Sequence, residues 1–359
     1  MKIIFVAYLN NPGASGHQRL WALQQCGLEI VVFNTHKYPS SLGKWGEPFA
    51  KILQTPRLRQ NSSALEKDLI QCCKDNKPDV IWLEWARGIQ PSVLKEMQEL
   101  NPKPYLISIQ DDNPWGDRSG DRWMWKDYFK LIPYFDLHLI KRQSDVANLQ
   151  LLGAKKSRFW EHGIYSPLYH PPATGVVEKK YPVSFVGTCM DKRGAFIEQL
   201  LNDGIQIHVF GQLWKKRAGD LVRRFPDNFH PAVWGEEYAD IIRCSVISLC
   251  TVSDSNHDEW TMRSYEIPGC ATAALVRRTP AHEKMFVDGE TAFFYNSEAE
   301  CPAIIKGILA QPNLATEVGK RAYQAFKNNN WMIEDRMRDL LETLANDKLI
   351  KYDITNPVS

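Results

Sequence analysis

Along this chain, strand-like segments alternate with helix-like segments. The alternation is interrupted once and then resumes. The first run starts with the strand-like Lys2–Tyr8 and ends with the helix-like Gln143–Leu152. The interruption, Phe159–Pro182, is rich in proline and glycine, and the second run begins at Val183–Gly187. Alternation of this kind predicts parallel sheets covered by helices. We therefore predict two Rossmann-like, doubly wound α/β domains at residues 1–165 and 182–330, with a linker at 166–181 and a C-terminal helix and tail at 331–359.

Composition and charge exclude several classes of protein. The 359 residues suffice for two ordinary domains, and 44% hydrophobic with 24% charged residues is typical of a globular protein. A net charge of +2 gives no reason to expect nucleic acid as a partner. No apolar run approaches the ~18 residues of a membrane span, which leaves only peripheral membrane contact open. The N-terminus lacks a signal-peptide cleavage site and the eight cysteines form no C-x-x-C pair, so we expect a cytoplasmic protein with reduced thiols.

The segment Asp258–Tyr295 reads as an acidic helix, a small-residue strand, a loop and a second short strand. We predict the helix at Asp258–Cys270. Asp258 and Glu266 are eight positions apart, a little over two helical turns, so both are expected near one face with Arg263 beside them. A carboxylate that accepts ribose hydroxyls, next to a cation that meets a diphosphate, suits a nucleotide-sugar site. The same residues also fit an ordinary helix with an acidic N-terminus and a surface arginine.

Polar residues and glycines follow several of the predicted strands, where the ligands of open α/β sheets bind. The loop NNPGASGHQR places Gly13 and Gly16 at a strand-to-helix turn, which fits either a phosphate-binding loop or a plain tight turn. His17 belongs to the same loop, and Asp111 and Asp112 follow a later buried strand. In the second domain, the residues that follow strands include Gly187, Thr188, Lys192, Arg193 and Gly211.

Several motifs resemble those of GT-B glycosyltransferases, and in detail those of the CgeB-like (spore-maturation type) family. The family pattern R-x-x-E-I-x-x-C, followed by T-P and D/E-G-x-x-A/V-x-x-Y, is matched by Arg263, Glu266, Ile267, Cys270, Thr279, Pro280, Asp288, Gly289, Ala292 and Tyr295. GTCMDKR at 187–193 and HVFGQLW at 208–214 are similar to further elements of the family, and HGIYSPLYHP at 162–171 is similar to the GT-B linker. The resemblance implies a GT-B fold, with two Rossmann-like domains facing a cleft and a C-terminal helix that crosses back to the first domain.

The resemblance also implies roles for individual residues. On the donor side it implies Glu266 for the ribose, Arg193, Lys192 and Arg263 for the diphosphate, Asp258 for the sugar, and Val233 and Trp234 for the nucleobase. Cations there would offset the charge of a nucleoside diphosphate leaving group. Arg193 is the first choice and Lys192 the second, and a surface charge at a helix start is the alternative for both. Asp258 stands where the E-x7-E motif of many retaining GT-B enzymes has glutamate.

The base that would activate an acceptor hydroxyl stays open between His17, Asp111 and Asp112. IQDDNPW resembles an acidic D-D-x-P element of the same family, and it is equally typical of an Asx turn before Pro114. A retaining enzyme can use the leaving phosphate and needs no protein base. No residues have metal-ligand spacing, and there is no P-loop or nucleophile elbow. We therefore predict catalysis without a metal and without a cofactor other than the nucleotide-sugar substrate.

The sequence thus predicts a metal-independent glycosyltransferase of the hexosyltransferase type. Its donor is expected to be a UDP-sugar or a GDP-sugar, and its acceptor a saccharide, a protein or a small molecule. Two alternatives stay open: an epimerase or hydrolase that consumes a nucleotide-sugar on the same scaffold, and a non-catalytic nucleotide-binding module. The sequence leaves undetermined the donor sugar, the acceptor, retention or inversion, and the oligomeric state.

Overall fold

The computed structural model describes residues 1–10, 13–173, 175 and 177–352 of the chain. It divides into two compact units. The first unit contains the described residues up to Glu161 together with those from Glu334 to Tyr352, and the second unit contains the described residues of His162–Ile333. Among the described residues, no helix is both long and apolar enough to span a membrane.

The first unit is built around a parallel sheet of six strands. Its strands are β1 (Lys2–Ala7), β2 (Glu29–Asn34), β3 (Val80–Glu84), β4 (Tyr105–Ile109), β5 (Leu137–Ile140) and β6 (Ser157–Phe159). Its helices are α1 (Ser15–Gln25), α2 (Gly46–Ile52), α3 (Ser62–Asn76), α4 (Pro91–Gln98), α5 (Lys126–Leu131) and α6 (Asp145–Leu151). The strand order is β2-β1-β3-β4-β5-β6. Every residue of β3 is buried, as expected for an apolar strand at the centre of a parallel sheet.

The second unit holds another parallel sheet of six strands. Its strands are β7 (Tyr181–Val186), β8 (Ile207–Phe210), β9 (Phe229–His230), β10 (Ser245–Cys250), β11 (Ala273–Arg277) and β12 (Phe293–Tyr295). Its helices are α7 (Arg193–Asn202), α8 (Trp214–Arg217), α9 (Gly219–Arg224), α10 (Gly235–Arg243), α11 (Arg263–Gly269), α12 (Pro280–Met285), α13 (Cys301–Leu309) and α14 (Pro312–Asn328). The order β12-β11-β10-β7-β8-β9 reverses between β10 and β7. Ligands of doubly wound sheets bind beyond the carboxyl ends of the strands at such a reversal.

The last helix, α15 (Ile333–Asn346), joins residues of the first unit. Arg336 lies 2.9 Å from the carboxylate of Glu161, and Arg158 donates a hydrogen bond of 3.1 Å to the hydroxyl of Thr343. The predicted fold class, two doubly wound α/β domains with a final helix returning to the first, is confirmed.

The predicted helix Asp258–Cys270 is wrong over its first five residues, because α11 begins only at Arg263. The N–H of Asp258 donates instead to the carbonyl of Ser253 at 3.0 Å, and the side-chain amide of Asn256 donates to the Asp258 carboxylate at 3.0 Å. Short polar side chains that bond to nearby groups offer the main chain an alternative to the helix. Asp258 therefore lies in a loop, and it does not share a helical face with Glu266.

Several further short elements were missing from the sequence prediction: α2, α5, α8, α12, β6 and β9. The loop expected between β11 and β12 contains the short helix α12, whose first residue is Pro280 and whose N-cap Thr279 accepts a hydrogen bond from the N–H of His282 at 3.1 Å. The edge strands β6 and β9 are only three and two residues long. Such short edge strands carry too little hydrophobic periodicity to be read from sequence.

Candidate functional site

A cation lies at the carboxyl ends of the two strands that flank the reversal in the second sheet. Arg263, the first residue of α11, donates hydrogen bonds to the carbonyl of Val186 at 3.1 Å and to the carbonyl of Thr251 at 3.3 Å. Val186 ends β7, and Thr251 directly follows β10. Within the described part of the chain, the buried Nε of Arg263 has no hydrogen-bond partner. The structure therefore fixes a guanidinium where the fold predicts a ligand.

Arg193 and Arg263 both lie over the ring of Phe185, with guanidinium carbons 5.6 and 5.5 Å from its centroid. Arg193 is 7% exposed and donates a hydrogen bond of 3.0 Å to the carbonyl of Thr188. Lys192 is exposed and directly precedes α7. The structure thus places the predicted cations at the same edge of the sheet. The two arginines are held by hydrogen bonds to main-chain carbonyls, whereas the lysine is exposed.

Gly187 and Gly211 lie where β7 and β8 end, and the two strands approach each other closely there. The carbonyl of Gly187 accepts a hydrogen bond of 2.9 Å from the indole of Trp214. A side chain at Gly211 would place its Cβ only 2.0 Å from that carbonyl oxygen, so this contact requires glycine. A Cβ at Gly187 would lie 3.2 Å from Nη1 of Arg263. The lack of a side chain at these two glycines therefore allows the ends of β7 and β8 to approach each other closely beside Arg263.

Glu266 lies one helical turn after Arg263 and is 8% exposed. The hydroxyl of Tyr238 donates to its Oε2 at 2.5 Å, and the hydroxyl of Tyr169 donates to the same carboxylate. Burial raises the pKa of Glu266, and the tyrosine hydroxyls and the charge of Arg263 act against that rise. A carboxylate has about four acceptor positions, so two tyrosines leave it able to accept further hydroxyl donors.

Val233 and Trp234 precede α10, the helix that carries Tyr238. Val233 is buried in the core, whereas the indole of Trp234 is 56% exposed. An exposed indole beside a polar site is suited to stacking on a planar ring. Asp258 is half-buried in the loop before α11, and its place there corrects the helical position that we expected.

Asp191, Tyr169 and Tyr238 are site residues that the sequence did not assign. Asp191 accepts hydrogen bonds from the hydroxyls of Ser253, at 2.7 Å, and Ser255, and so joins the loop after β7 to the loop after β10. Tyr169 belongs to the linker motif HGIYSPLYHP, and Tyr238 comes four positions after Trp234, so both lie in or next to segments that the sequence analysis singled out. Their hydrogen bonds to Glu266 depend on long-range contacts that no spacing reveals.

A buried ionic network occupies the reversal of strand order in the first sheet, between β1 and β3. Arg19, which is 1% exposed, donates from Nε to Glu84 at 2.6 Å and from Nη2 to Asp111 at 2.9 Å. The hydroxyl of Ser15 donates to Asp111 at 2.6 Å, and the indole of Trp82 donates to Glu84 at 2.9 Å. Sequence reasoning missed Arg19, because an arginine in an amphipathic helix is normally read as exposed.

The ionic network affects which residue could act as the general base. Burial raises the pKa of Asp111, but the Arg19 guanidinium and the Ser15 hydroxyl outweigh burial and hold the pKa well below its usual range. A carboxylate that binds protons so weakly is a poor general base, which favours a structural role for Asp111. Burial raises the pKa of Asp112 despite Arg87 at 3.7 Å and Arg118 at 4.0 Å. Asp112 therefore remains a candidate.

His17 is half-buried in the first turns of α1, and burial lowers its pKa from the ordinary value. Its imidazole is therefore neutral near pH 7 and able to accept a proton. Gly13 and Gly16 stand just before it, whereas Asn11 and Pro12 of the same loop lie outside the described residues. A Cβ at Gly16 would make only ordinary contacts, 3.7 Å from Glu84. The sterics thus give no reason for glycine at this position.

No group of three or more His, Cys, Asp or Glu residues is arranged to hold a metal ion in the part of the chain that the structure describes. This observation does not test the prediction of metal-independent catalysis, which stays a prediction.

Comparison with known proteins adds to this geometry. Residues 192–342 match the family model described as glycosyl transferase-like. The chain is similar to a sucrose-phosphate synthase from Thermosynechococcus elongatus, with 12% identity, 97% of this chain and 99% of that one covered, and a TM-score of 0.69. It is similar to HepE from Anabaena, solved with UDP and glucose, with 12% identity, 96% and 100% covered, and a TM-score of 0.64. No sequence among the curated proteins matches the chain significantly.

A third similar structure is described as a candidate UDP-N-acetylglucosamine 2-epimerase from Listeria monocytogenes, with 11% identity, 98% of both chains covered, and a TM-score of 0.58. At such identities, structural likeness shows the fold. The likeness shows the two-domain α/β fold of GT-B glycosyltransferases, and residues 192–342 of the chain are similar to the glycosyl transferase-like family. The finer resemblance to CgeB-like proteins stays a prediction.

Proposed function

We propose that this chain transfers a sugar, of the hexose type, from a nucleotide-sugar donor to an acceptor hydroxyl. The observation that carries the proposal is the pair Arg263 and Glu266, one helical turn apart at the reversal of strand order. Arg263 is suited to the charge that develops on a nucleoside diphosphate as it leaves, because its guanidinium is already fixed by two carbonyls. Glu266 is suited to ribose hydroxyls, because its carboxylate is held in one orientation by Tyr238.

The donor side would use further residues in supporting roles. Arg193 adds a second guanidinium over Phe185, Trp234 offers an exposed indole to the nucleobase, and Gly187 leaves room for Arg263. Asp258 is assigned to the donor sugar only by its motif. UDP-sugars and GDP-sugars are the first donors to test, since the similar protein HepE was solved with UDP and glucose.

For the acceptor, we propose that His17 or Asp112 removes the proton if the reaction inverts the sugar's configuration. His17 is the stronger candidate, because burial keeps its imidazole neutral near pH 7 by lowering its pKa. If the reaction retains configuration, the leaving phosphate can take the proton, and neither residue is then essential.

The proposal is tested by thermal-shift and calorimetric screens of the full chain against UDP, GDP, CDP, ADP and dTDP and their common sugars. A ligand at ~100 times its dissociation constant stabilises the folded state by about 2.7 kcal/mol. We expect a response to one nucleotide family that is lost in Glu266→Gln. The matched control is Glu237→Gln, an exposed glutamate of α10. Equal affinity in wild type and Glu266→Gln, with both folded, would refute the donor site.

A second candidate is an epimerase or hydrolase, and it is favoured by one observation, the likeness to the Listeria structure described as a UDP-N-acetylglucosamine 2-epimerase. Product analysis separates the possibilities. Transfer releases nucleoside diphosphate only in the presence of an acceptor, hydrolysis releases it with water alone, and epimerisation changes the sugar without an acceptor. Binding without turnover would indicate a non-catalytic nucleotide-binding module.

We also propose that no metal ion takes part, because Arg263 and Arg193 already supply positive charge at the position proposed for the diphosphate. The test is turnover in the presence of EDTA. We expect unchanged rates, and a loss that added Mg²⁺ or Mn²⁺ restores would overturn this part of the proposal.

A further inference from the structure

The connection between β2 and α3, residues 35–61, is far longer than the roughly 2–6 residues that usually join a strand to a helix. It contains α2 and displays large apolar side chains to solvent. We call this surface the apolar stripe, and it consists of Leu42, Trp45, Phe49, Ile52 and Leu53. Ile52 is 73% and Trp45 57% exposed. A cluster of exposed apolar side chains on a globular protein marks an interaction surface.

The stripe faces outward because the opposite side of α2 is too closely packed to hold large residues. Gly46 and Ala50 form that inner side, and both are buried. A Cβ at Gly46 would lie 2.2 Å from Oγ of Ser40 and 2.8 Å from the carbonyl oxygen of Leu58. Phe49 and Ile52 lie on α2 at a three-residue spacing, and Leu42 and Trp45 come from the turn directly before it. The helix is therefore anchored by small residues and presents its apolar face to solvent, the reverse of the usual arrangement.

Basic residues are interspersed with the stripe residues along the sequence. Between residues 36 and 59, the charged groups are Lys37, Lys44, Lys51, Arg57, Arg59 and, as the one acid, Glu47. Glu47 pairs with Arg59, and Arg57 pairs with Glu66. Lys37, Lys44 and Lys51 are exposed, and the ammonium of Lys44 lies 5.8 Å from the ring centroid of Trp45. The segment thus combines exposed apolar side chains with exposed lysines.

We propose that the apolar stripe docks the chain onto an anionic membrane surface. Aromatic and aliphatic side chains of an interfacial helix enter the boundary between headgroups and acyl chains, and lysines at its margin contact anionic headgroups. A second copy of this chain is a poorer occupant, because a symmetric contact would bring the three lysines against those of the copy. The proposal is independent of the nucleotide site, since it concerns residues of the first unit alone.

The test is co-sedimentation of the full chain with vesicles of phosphatidylcholine alone and of phosphatidylcholine with about one-third phosphatidylglycerol. We expect binding only to the anionic vesicles, weakened by salt. Trp45→Ser/Ile52→Ser should abolish binding, and Lys44→Gln/Lys51→Gln should weaken it roughly fivefold per charge removed. Leu151→Ser, which changes an 84% exposed leucine of α6, should bind like wild type.

Thermal unfolding establishes that each variant is folded, and sedimentation velocity without lipid gives the oligomeric state. The proposal would be overturned if the folded wild type did not co-sediment with anionic vesicles. Equal binding by wild type and Trp45→Ser/Ile52→Ser would overturn it as well, since the apolar side chains would then be irrelevant. A dimer that this double variant dissociates would assign the stripe to a second copy of the chain instead.

Discussion

The Arg19 guanidinium donates hydrogen bonds to both carboxylate oxygens of Asp111, at 3.1 Å to Oδ1 and 2.9 Å to Oδ2. The same guanidinium binds Glu84, which is as buried as Arg19 itself. One buried cation thus holds two carboxylates together at the carboxyl ends of β3 and β4. The arrangement ties the end of β3 to the end of β4, next to the point between β1 and β3 where the strand order reverses.

Arg19→Met should strongly destabilise the protein, because it leaves the buried carboxylate of Glu84 and the partly buried carboxylate of Asp111 without their shared cation. Removing one partner of a buried ion pair costs about 3–5 kcal/mol. Urea unfolding at pH 7 measures the loss. The pKa of Asp111 lies below its unfolded value, so its interaction contributes fully above about pH 4 and is lost as pH falls through the lower folded-state pKa. The difference in the free energy of unfolding between wild type and Arg19→Met should therefore become smaller as the pH is lowered.

Arg223→Met is the matched control, because Arg223 also pairs with an aspartate, Asp220, but both side chains are exposed. Exposed pairs contribute little, so this variant should unfold like wild type. Equal stabilities of the Arg19 and Arg223 variants would show that the network adds nothing to the fold.

Local patterns and long-range contacts account for what the sequence did and did not reveal. Arg263 and Glu266 were found together because a three-residue spacing within a helix places both side chains without reference to the rest of the chain. Asp258 was placed wrongly because bonds among Ser253, Asn256 and Asp258 displace the helix start. The spacing argument assumed one continuous helix from Asp258, but residues 258–262 precede α11 and are not part of it.

Contacts between distant parts of the chain were beyond any spacing argument. Arg19 meets Glu84 across 65 positions and Asp111 across 92. The two sheets themselves were predictable, because buried parallel strands are short apolar runs that alternate with helices. The partners of a polar side chain depend instead on which strand lies beside which, and that order is a property of the folded sheet.

Gly211→Ala should destabilise the second unit, because the new Cβ would lie 2.0 Å from the carbonyl oxygen of Gly187. Relief requires the main chain to move, and overpacking of this kind costs about 1–3 kcal/mol. The control is Gly307→Ala in α13, where an added Cβ meets nothing within 4 Å and helix propensity predicts a gain of up to about 1 kcal/mol. Thermal unfolding compares the two, and a neutral Gly211→Ala would contradict the close approach.

Arg263→Met should weaken binding of a nucleoside diphosphate and leave binding of the nucleoside alone unchanged. A hydrogen bond to a charged group contributes about 1.5–3 kcal/mol, so we expect a loss of roughly tenfold to a hundredfold. Calorimetry with the responsive diphosphate and its nucleoside measures both. Arg321→Met is the control, because Arg321 likewise donates to a main-chain carbonyl, that of Glu290, but is exposed. A parallel loss for nucleoside and diphosphate would indicate a structural role for Arg263.

If His17 is the base, the rate should depend on pH through its imidazole. Burial lowers the pKa of His17 below the ordinary value of about 6.5, so kcat/KM should rise with pH through a pKa below that value and then level off. His17→Gln should lower kcat by about 10²–10⁴ and remove this acidic limb, with little change in KM. Asp112→Asn is the comparison, because Asp112 is the other candidate base. An acidic limb that survives in His17→Gln and disappears in Asp112→Asn would transfer the role to the aspartate, and a limb that survives in both would favour a retaining reaction in which the leaving phosphate accepts the proton.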